Sequence, residues 1–259
     1  MSGRLRVDEP ADGIVRLTIS NPAKRNALDH PILDGIAAAV QEADGARCIV
    51  LTGADGMFSA GYDLGDIPAD LFAVEAEKLI AHPFTAALDA VAAIGVPTVA
   101  ALPGHTIGGG LELALCCDLR VAAAGIELGM PPAKLGLVYS HTGLRRFVQA
   151  IGAPRTRELF LLGRNVDADT ALAWGLVNRV ADDAEAAGLE LAAELAGNAP
   201  LSVRGNKRAL RELLAADMAL DAEVERELIA LREACFASED MQEGVRAFAE
   251  KRPARWQGR

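Results

Sequence analysis

The stretch Pro97-Thr-Val-Ala-Ala-Leu-Pro-Gly-His-Thr-Ile-Gly-Gly-Gly-Leu-Glu-Leu-Ala-Leu-Cys-Cys-Asp-Leu-Arg-Val-Ala122 decides the fold. Residues 98–102 form a short apolar run between two prolines, which reads as a buried strand. Residues 109–117 start a helix out of a glycine-rich turn, and residues 119–122 return to strand. The uncharged run 90–111 is long enough to span a bilayer by length alone. Gly95, Pro97, Pro103, Gly104 and the glycines 108–110 interrupt it, however, and His105 lies inside it. Two readings of the glycine turn stand side by side. It is either a tight connection that lets a helix pack close to a sheet, or a cradle of unpaired N–H groups suited to an anion. Its spacing is not the G-x-G-x-x-G of a dinucleotide site.

Working outward, residues 14–19 alternate and are rich in β-branched side chains, so they read as a strand. Residues 31–40 read as a helix with Pro31 in its first turn. Residues 48–52 are a second apolar strand, followed by a loop holding Gly53, Gly56 and Gly61. Residues 71–93 read as helical around His82-Pro83. Beyond Gly143 the pattern is mainly helical, with apolar residues at i, i+3, i+4 spacing over 185–196, 203–214 and 220–235. Strands alternate with helices in the first half and helices fill the last third. The expected class is therefore α/β with a helical C-terminal part.

The 259 residues carry 26 Lys+Arg against 36 Asp+Glu, a formal charge of −10. That balance opposes nucleic-acid and anionic-membrane binding, both of which need a positive field. Hydrophobic residues make up 51%, which excludes a disordered chain. The N-terminus has no apolar signal-peptide core. The four cysteines, Cys48, Cys116, Cys117 and Cys235, form no C-x-x-C pair. A cytoplasmic location without a metal is the expectation.

Four polar positions stand out. Glu112 lies in the first turn of an otherwise apolar helix. The helix dipole stabilises it there, and burial would make it a candidate acid or base. Ser59 sits where a nucleophile elbow could be, but Met57 occupies the first glycine position of G-x-S-x-G, so a serine hydrolase is disfavoured. His105 and His141 are the other titratable candidates. Trp174 and Trp256 read as packing residues, and Arg145 and Arg146 as solvated or paired on a helix.

Several segments, in order, resemble the crotonase superfamily, the enoyl-CoA hydratase/isomerase family. Asn21-Pro-Ala-Lys-Arg-Asn-Ala-Leu28 resembles its first CoA-contact loop, and Phe58-Ser-Ala-Gly-Tyr-Asp-Leu64 its F-S-A-G-x-D-L motif. The 97–122 block, the Gly163-Arg-Asn-Val-Asp-Ala168 to Gly175-Leu-Val177 block, and Glu239 to Arg252 resemble further signatures. The resemblance implies a crotonase-like spiral of ββα units over 1–195 and a C-terminal helical trimerisation region over 196–259. It implies an acyl-CoA thioester as substrate and a homotrimer or dimer of trimers as the assembly, with no separate cofactor. The thioester oxygen would sit between the backbone N–H groups of Tyr62 and Gly109, beside Gly108. Lys24, Arg25 and Ala27 would lie near CoA, Ala60, Asp63 and Leu64 along the adenine and pantetheine path, and Phe248 and Lys251 at the nucleotide end of a neighbour's CoA.

The family's hydratases use two glutamates. Glu112 matches the first, but Pro132 fills the place of the second in Leu128-Gly-Met-Pro-Pro-Ala-Lys-Leu-Gly136. Tyr139 replaces a usual proline. Together these are similar to the methylmalonyl-CoA decarboxylase branch, in which a tyrosine faces the substrate carboxylate. The expected activity is a lyase, either hydrating an enoyl-CoA or decarboxylating a malonyl-type CoA. Tyr139 and Glu112 would stand at the reacting carbon, with His141 as a proton donor in the same loop. An isomerase, or an acyl-CoA-binding trimer without full catalysis, is the alternative.

Overall fold

The structure, a computed structural model, describes residues 3–63, 82–217 and 220–257. Strands β1 (Arg4–Ala11) and β2 (Ile14–Ser20) form an antiparallel hairpin. Strands β3 (Cys48–Gly53), β4 (Thr98–Leu102), β6 (Leu119–Ala123) and β9 (Arg179–Ala181) follow as parallel neighbours, giving a six-stranded sheet ordered β1-β2-β3-β4-β6-β9. Every residue of β3 and β4 is buried. Parallel strands are covered on both faces, so their sequences run apolar instead of alternating. A second sheet, ordered β5-β7-β8, joins β5 (Thr106–Ile107), β7 (Glu127–Gly129) and β8 (Val166–Asp167).

Helix α1 (His30–Glu42) starts at Asp29, whose carboxylate accepts from Ile32 N at 3.1 Å, with Pro31 in the first turn. Such a cap stabilises a helix by about 1 kcal/mol. Helix α1 packs against α2 (His82–Ala93). The short helix α3 (Gly109–Leu115) leads into β6, and the single-turn α4 (Pro132–Leu135) into α5 (His141–Leu162). Helix α5 bends at Gly152, whose φ of +72° lies in the left-handed region. After α6 (Ala168–Trp174), helix α7 (Ala184–Gly197) crosses β3, β4 and β6, and Gly188 meets Ala101 where a β-carbon would collide with it. The chain ends in α8 (Pro200–Asp217), α9 (Ala222–Phe236) and α10 (Glu239–Ala249).

These C-terminal helices reach the α4–α5 connection. Cys235 Sγ accepts from Val138 N at 3.3 Å and donates to Gly136 O at 2.8 Å, and the backbone of Leu135 lies against Gly244. The segment carrying Tyr139 is thus held from below by α9 and α10.

The sequence reading missed β1, whose exposed, charged residues show no alternation; its pairing with β2 makes it a strand. It also missed β5, β7, β8 and β9, which are too short to show a period. The part of the expected 71–93 helix before residue 82 lies outside the described residues. No helix among the described residues is long and apolar enough to cross a membrane.

Candidate active site

Three loops are zipped together around the glycine turn. In the Asn21–Leu28 loop, Arg25 and Asn26 take left-handed φ of 52° and 54°. The Asn26 amide donates to Ala54 O at 2.8 Å and Met57 O at 2.7 Å, and its oxygen accepts from Asn21 N at 2.8 Å. Leu28 N donates to Gly61 O at 2.8 Å, Asp63 N to Leu28 O at 3.0 Å, and Ala60 N to Arg25 O at 3.0 Å. Lys24 closes an ion pair on Asp63. Ile107 N then donates to Ser59 O at 3.0 Å, which joins the 59–63 segment to the glycine turn.

Gly61 and Gly110 are required at this junction. A β-carbon on Gly61, already at φ +99°, would stand 3.3 Å from Gly109 N; one on Gly110 would stand 2.6 Å from Ser59 Cβ. Tyr62 forms a parallel bridge with Leu28 in which Gly61 O and Asp63 N face Leu28. Its own N–H therefore points to the other side, where Gly108 and Gly109 lie. Gly109 opens α3, and its N–H has no acceptor among the described residues.

Glu112 stands one turn further into α3 and is 1% exposed. Two elements bring partners to it. Tyr139, from the connection before α5, donates its hydroxyl to Oε2 at 2.5 Å. Arg146, from α5, donates to Oε1 at 2.8 Å and also to Asp89 Oδ1 of α2 at 3.0 Å. Burial pushes the Glu112 carboxyl up, against the opposing pull of the Arg146 charge and the Tyr139 and Arg146 hydrogen bonds. Burial, then the Glu112 charge, pushes the Tyr139 hydroxyl well above the usual phenol range, so it stays a neutral donor. The Tyr139 ring rests edge-on against Phe160, with centroids 5.4 Å apart. Gly143 leaves room for the contact, because a β-carbon there would come within 2.6 Å of Tyr139 Cε1 and 2.9 Å of Glu112 Oε1.

The structure brings together Tyr62, Gly108, Gly109, Glu112 and Tyr139, and sets Lys24, Arg25, Ala27, Ala60 and Asp63 along the adjoining loops. Pro132 is buried at the start of α4 and brings no titratable group. His141 opens α5 instead of lying in the Tyr139 loop, and its Nε2 pairs with Glu225 Oε1 of α9 at 3.1 Å. His105 accepts from Glu127 N at 2.9 Å between the small strands. Phe248 and Lys251 are exposed near the C-terminus. Leu64 lies outside the described residues. Arg146 is paired on its helix, as expected, but its partner Glu112 places it at the site, a role not foreseen. The available signal was Glu112 itself, since a buried carboxylate calls for a cation. Asp89, His30, Phe84 and Gly143 were not singled out at all.

The family profile described as enoyl-CoA hydratase/isomerase matches residues 9–259. The Mycobacterium leprae protein named "Probable enoyl-CoA hydratase echA6" is 34% identical over 96% of this chain and 97% of its own. Among solved structures, a methylmalonyl-CoA decarboxylase in complex with 2-nitronate-propionyl-CoA superposes with a TM-score of 0.89 at 26% identity, covering 99% of both chains. Carnitinyl-CoA hydratase from Mycobacterium avium does so at 0.83 and 33% identity, covering 98% of both. A profile matched over nearly the whole length, on a fold shared with these structures, means that the chain belongs to the enoyl-CoA hydratase/isomerase family and carries the crotonase fold.

Proposed function

We propose that this protein is an acyl-CoA lyase that decarboxylates a malonyl-type thioester. One observation carries the choice: both oxygens of Glu112 are engaged, one by Arg146 and one by Tyr139. Hydration needs a group to activate water and a group to supply the α-proton. Pro132 supplies neither, and Glu112 is committed as an acceptor. Decarboxylation needs no base to begin.

The thioester oxygen lies between the Tyr62 and Gly109 N–H groups. The substrate carboxylate lies at the Tyr139 hydroxyl. The bond from the α-carbon to the carboxylate breaks, CO2 leaves, and its electron pair moves into the enolate, whose oxygen the two N–H groups hold. One such donor lowers a barrier by about 3–4 kcal/mol. The α-carbon then takes a proton that solvent supplies, while Tyr139 and Arg146 hold Glu112 in place. Lys24, fixed by Asp63, and Arg25 would meet the CoA phosphates. CoA enters as part of the substrate, and no other cofactor is called for. Exposed Leu201, Leu210, Leu213 and Leu214 on α8 support a self-associating C-terminal region, with Phe248 and Lys251 at a neighbour's CoA.

The second reading, hydration, is favoured by the hydratase names of the relatives. Separate incubation with methylmalonyl-CoA and crotonyl-CoA, followed by mass spectrometry, decides. Propionyl-CoA from the first with crotonyl-CoA untouched is the expected result. Water added to crotonyl-CoA, with methylmalonyl-CoA unchanged, refutes decarboxylation.

A further inference from the structure

Beside the glycine turn stands an aromatic pair that the chemistry above does not use. Phe84 of α2 meets Gly109 so closely that a β-carbon on Gly109 would lie 3.0 Å from Phe84 Cζ and 3.2 Å from its Cε2. The same position lies 3.4 Å from Tyr62 N. The Phe84 and Tyr62 rings pack edge to face, with centroids 6.2 Å apart and planes at 76°. The Tyr62 hydroxyl is in turn anchored on His30 Nε2 at 2.8 Å, at the start of α1. Both rings are half-buried, so each is packed on one side and open on another. Helix α2 is also tied to the site through Asp89 and Arg146. The pair is therefore a braced wall: α1 holds Tyr62 through His30, and α2, which carries Phe84, packs against α1.

We propose that Phe84, backed by Tyr62 and His30, sets the size of the acyl group and restricts the protein to short-chain acyl thioesters. This rests on the acyl-CoA reading above. A thioester oxygen between the Tyr62 and Gly109 N–H groups places the acyl carbons within contact of the Phe84 ring. A chain extending past the reacting carbon on that side meets the ring. Only a short substituent fits without moving α2, which packs against α1.

The test measures binding, so it does not depend on which reaction is catalysed. Propionyl-CoA and hexanoyl-CoA are titrated calorimetrically into the wild type, F84L and F84A. The wild type should favour propionyl-CoA. F84A should raise the affinity for hexanoyl-CoA relative to propionyl-CoA by about tenfold or more, the scale at which a hydrophobic pocket discriminates by methylene count. F84L, which keeps an apolar side chain and most of the packing, should fall between. An unchanged ratio in both variants, with propionyl-CoA still bound, overturns the assignment of Phe84 alone. Failure of the wild type to bind either thioester overturns the acyl-CoA reading beneath it.

Discussion

Replacing Gly143 with alanine tests the Glu112–Tyr139 contact without removing either group. In a free helix, alanine is the better residue by about 1 kcal/mol. Gly205 of α8 shows that case, because a β-carbon there meets nothing within 4 Å. At Gly143 the new carbon would lie 2.6 Å from Tyr139 Cε1, 2.9 Å from Glu112 Oε1 and 2.9 Å from Ser140 Oγ. Carbon pairs settle at about 3.5–4.0 Å, so the Tyr139 ring must retreat by about 1 Å. Overpacking of this kind costs about 1–3 kcal/mol. Set against the helix gain, the net loss is about 0–2 kcal/mol, and the melting temperature should fall by no more than about 8 °C. A misplacement of about 1 Å in a reacting constellation costs about 100-fold in rate. The variant should therefore fold and melt cooperatively while kcat drops about 100-fold. G205A should lose no stability and keep its rate. Thermal melts by circular dichroism, paired with kcat at saturating thioester, check both. A G143A protein with wild-type kcat would refute the role given to the Glu112–Tyr139 geometry.

Other outcomes follow from the same contacts. Tyr139→Phe leaves Glu112 Oε2 without its donor, so it should cost about 1–3 kcal/mol in urea unfolding and about 100-fold or more in kcat. Glu112 is held above its unfolded pKa, so the folded state binds the extra proton; its contribution to stability is full below the unfolded value and is lost as pH rises through the folded one. Glu112→Gln should flatten that decline in melting temperature measured from pH 4 upward. Glu243 behaves oppositely: the Arg252 guanidinium, at 2.6 and 2.9 Å, holds it at about 2, so its contribution is present above the unfolded value near 4.5 and lost as pH falls toward 2. Glu243→Gln should lessen the acid-side loss in the same melts. Lys24→Ala should raise KM for a CoA thioester more than for the matching pantetheine thioester, which lacks the nucleotide phosphates; an equal rise for both would remove Lys24 from the phosphate site.

The central αβ units were legible because their cause is local. β3 and β4 are buried on both faces, so their runs are uniformly apolar, and the glycines of the turn announce a backbone conformation that side chains resist. Glu112 was legible for the opposite reason, as a carboxylate where apolar neighbours leave no water. What the sequence hid depends on distance along the chain. Arg146 is 34 residues from Glu112, and Asp89 is 57 from Arg146. No period or spacing links them until α2, α3 and α5 are packed side by side. β1 was hidden because an edge strand with a charged, exposed sequence is a strand only through its partner. Gly143 reads in sequence as a weak helix residue, and its necessity appears only when the Tyr139 ring is seen to occupy the missing β-carbon's place.

Pro132 and Arg146 take on a joint meaning on the proposed reading. Arg146 is shared between Glu112 and Asp89, so with both carboxylates ionised the trio carries a net negative charge. A second glutamate would add another negative charge to a place where burial already resists the first. Pro132 leaves that place neutral, and the substrate's own carboxylate can be the arriving charge. Its approach raises Glu112 further, because like charges at close range favour protonating one of them. Loss of CO2 then moves that charge onto the enolate oxygen, where the Tyr62 and Gly109 N–H groups would hold it. The same burial that would make Glu112 a poor partner for a second carboxylate of the protein thus suits a substrate whose carboxylate departs as CO2.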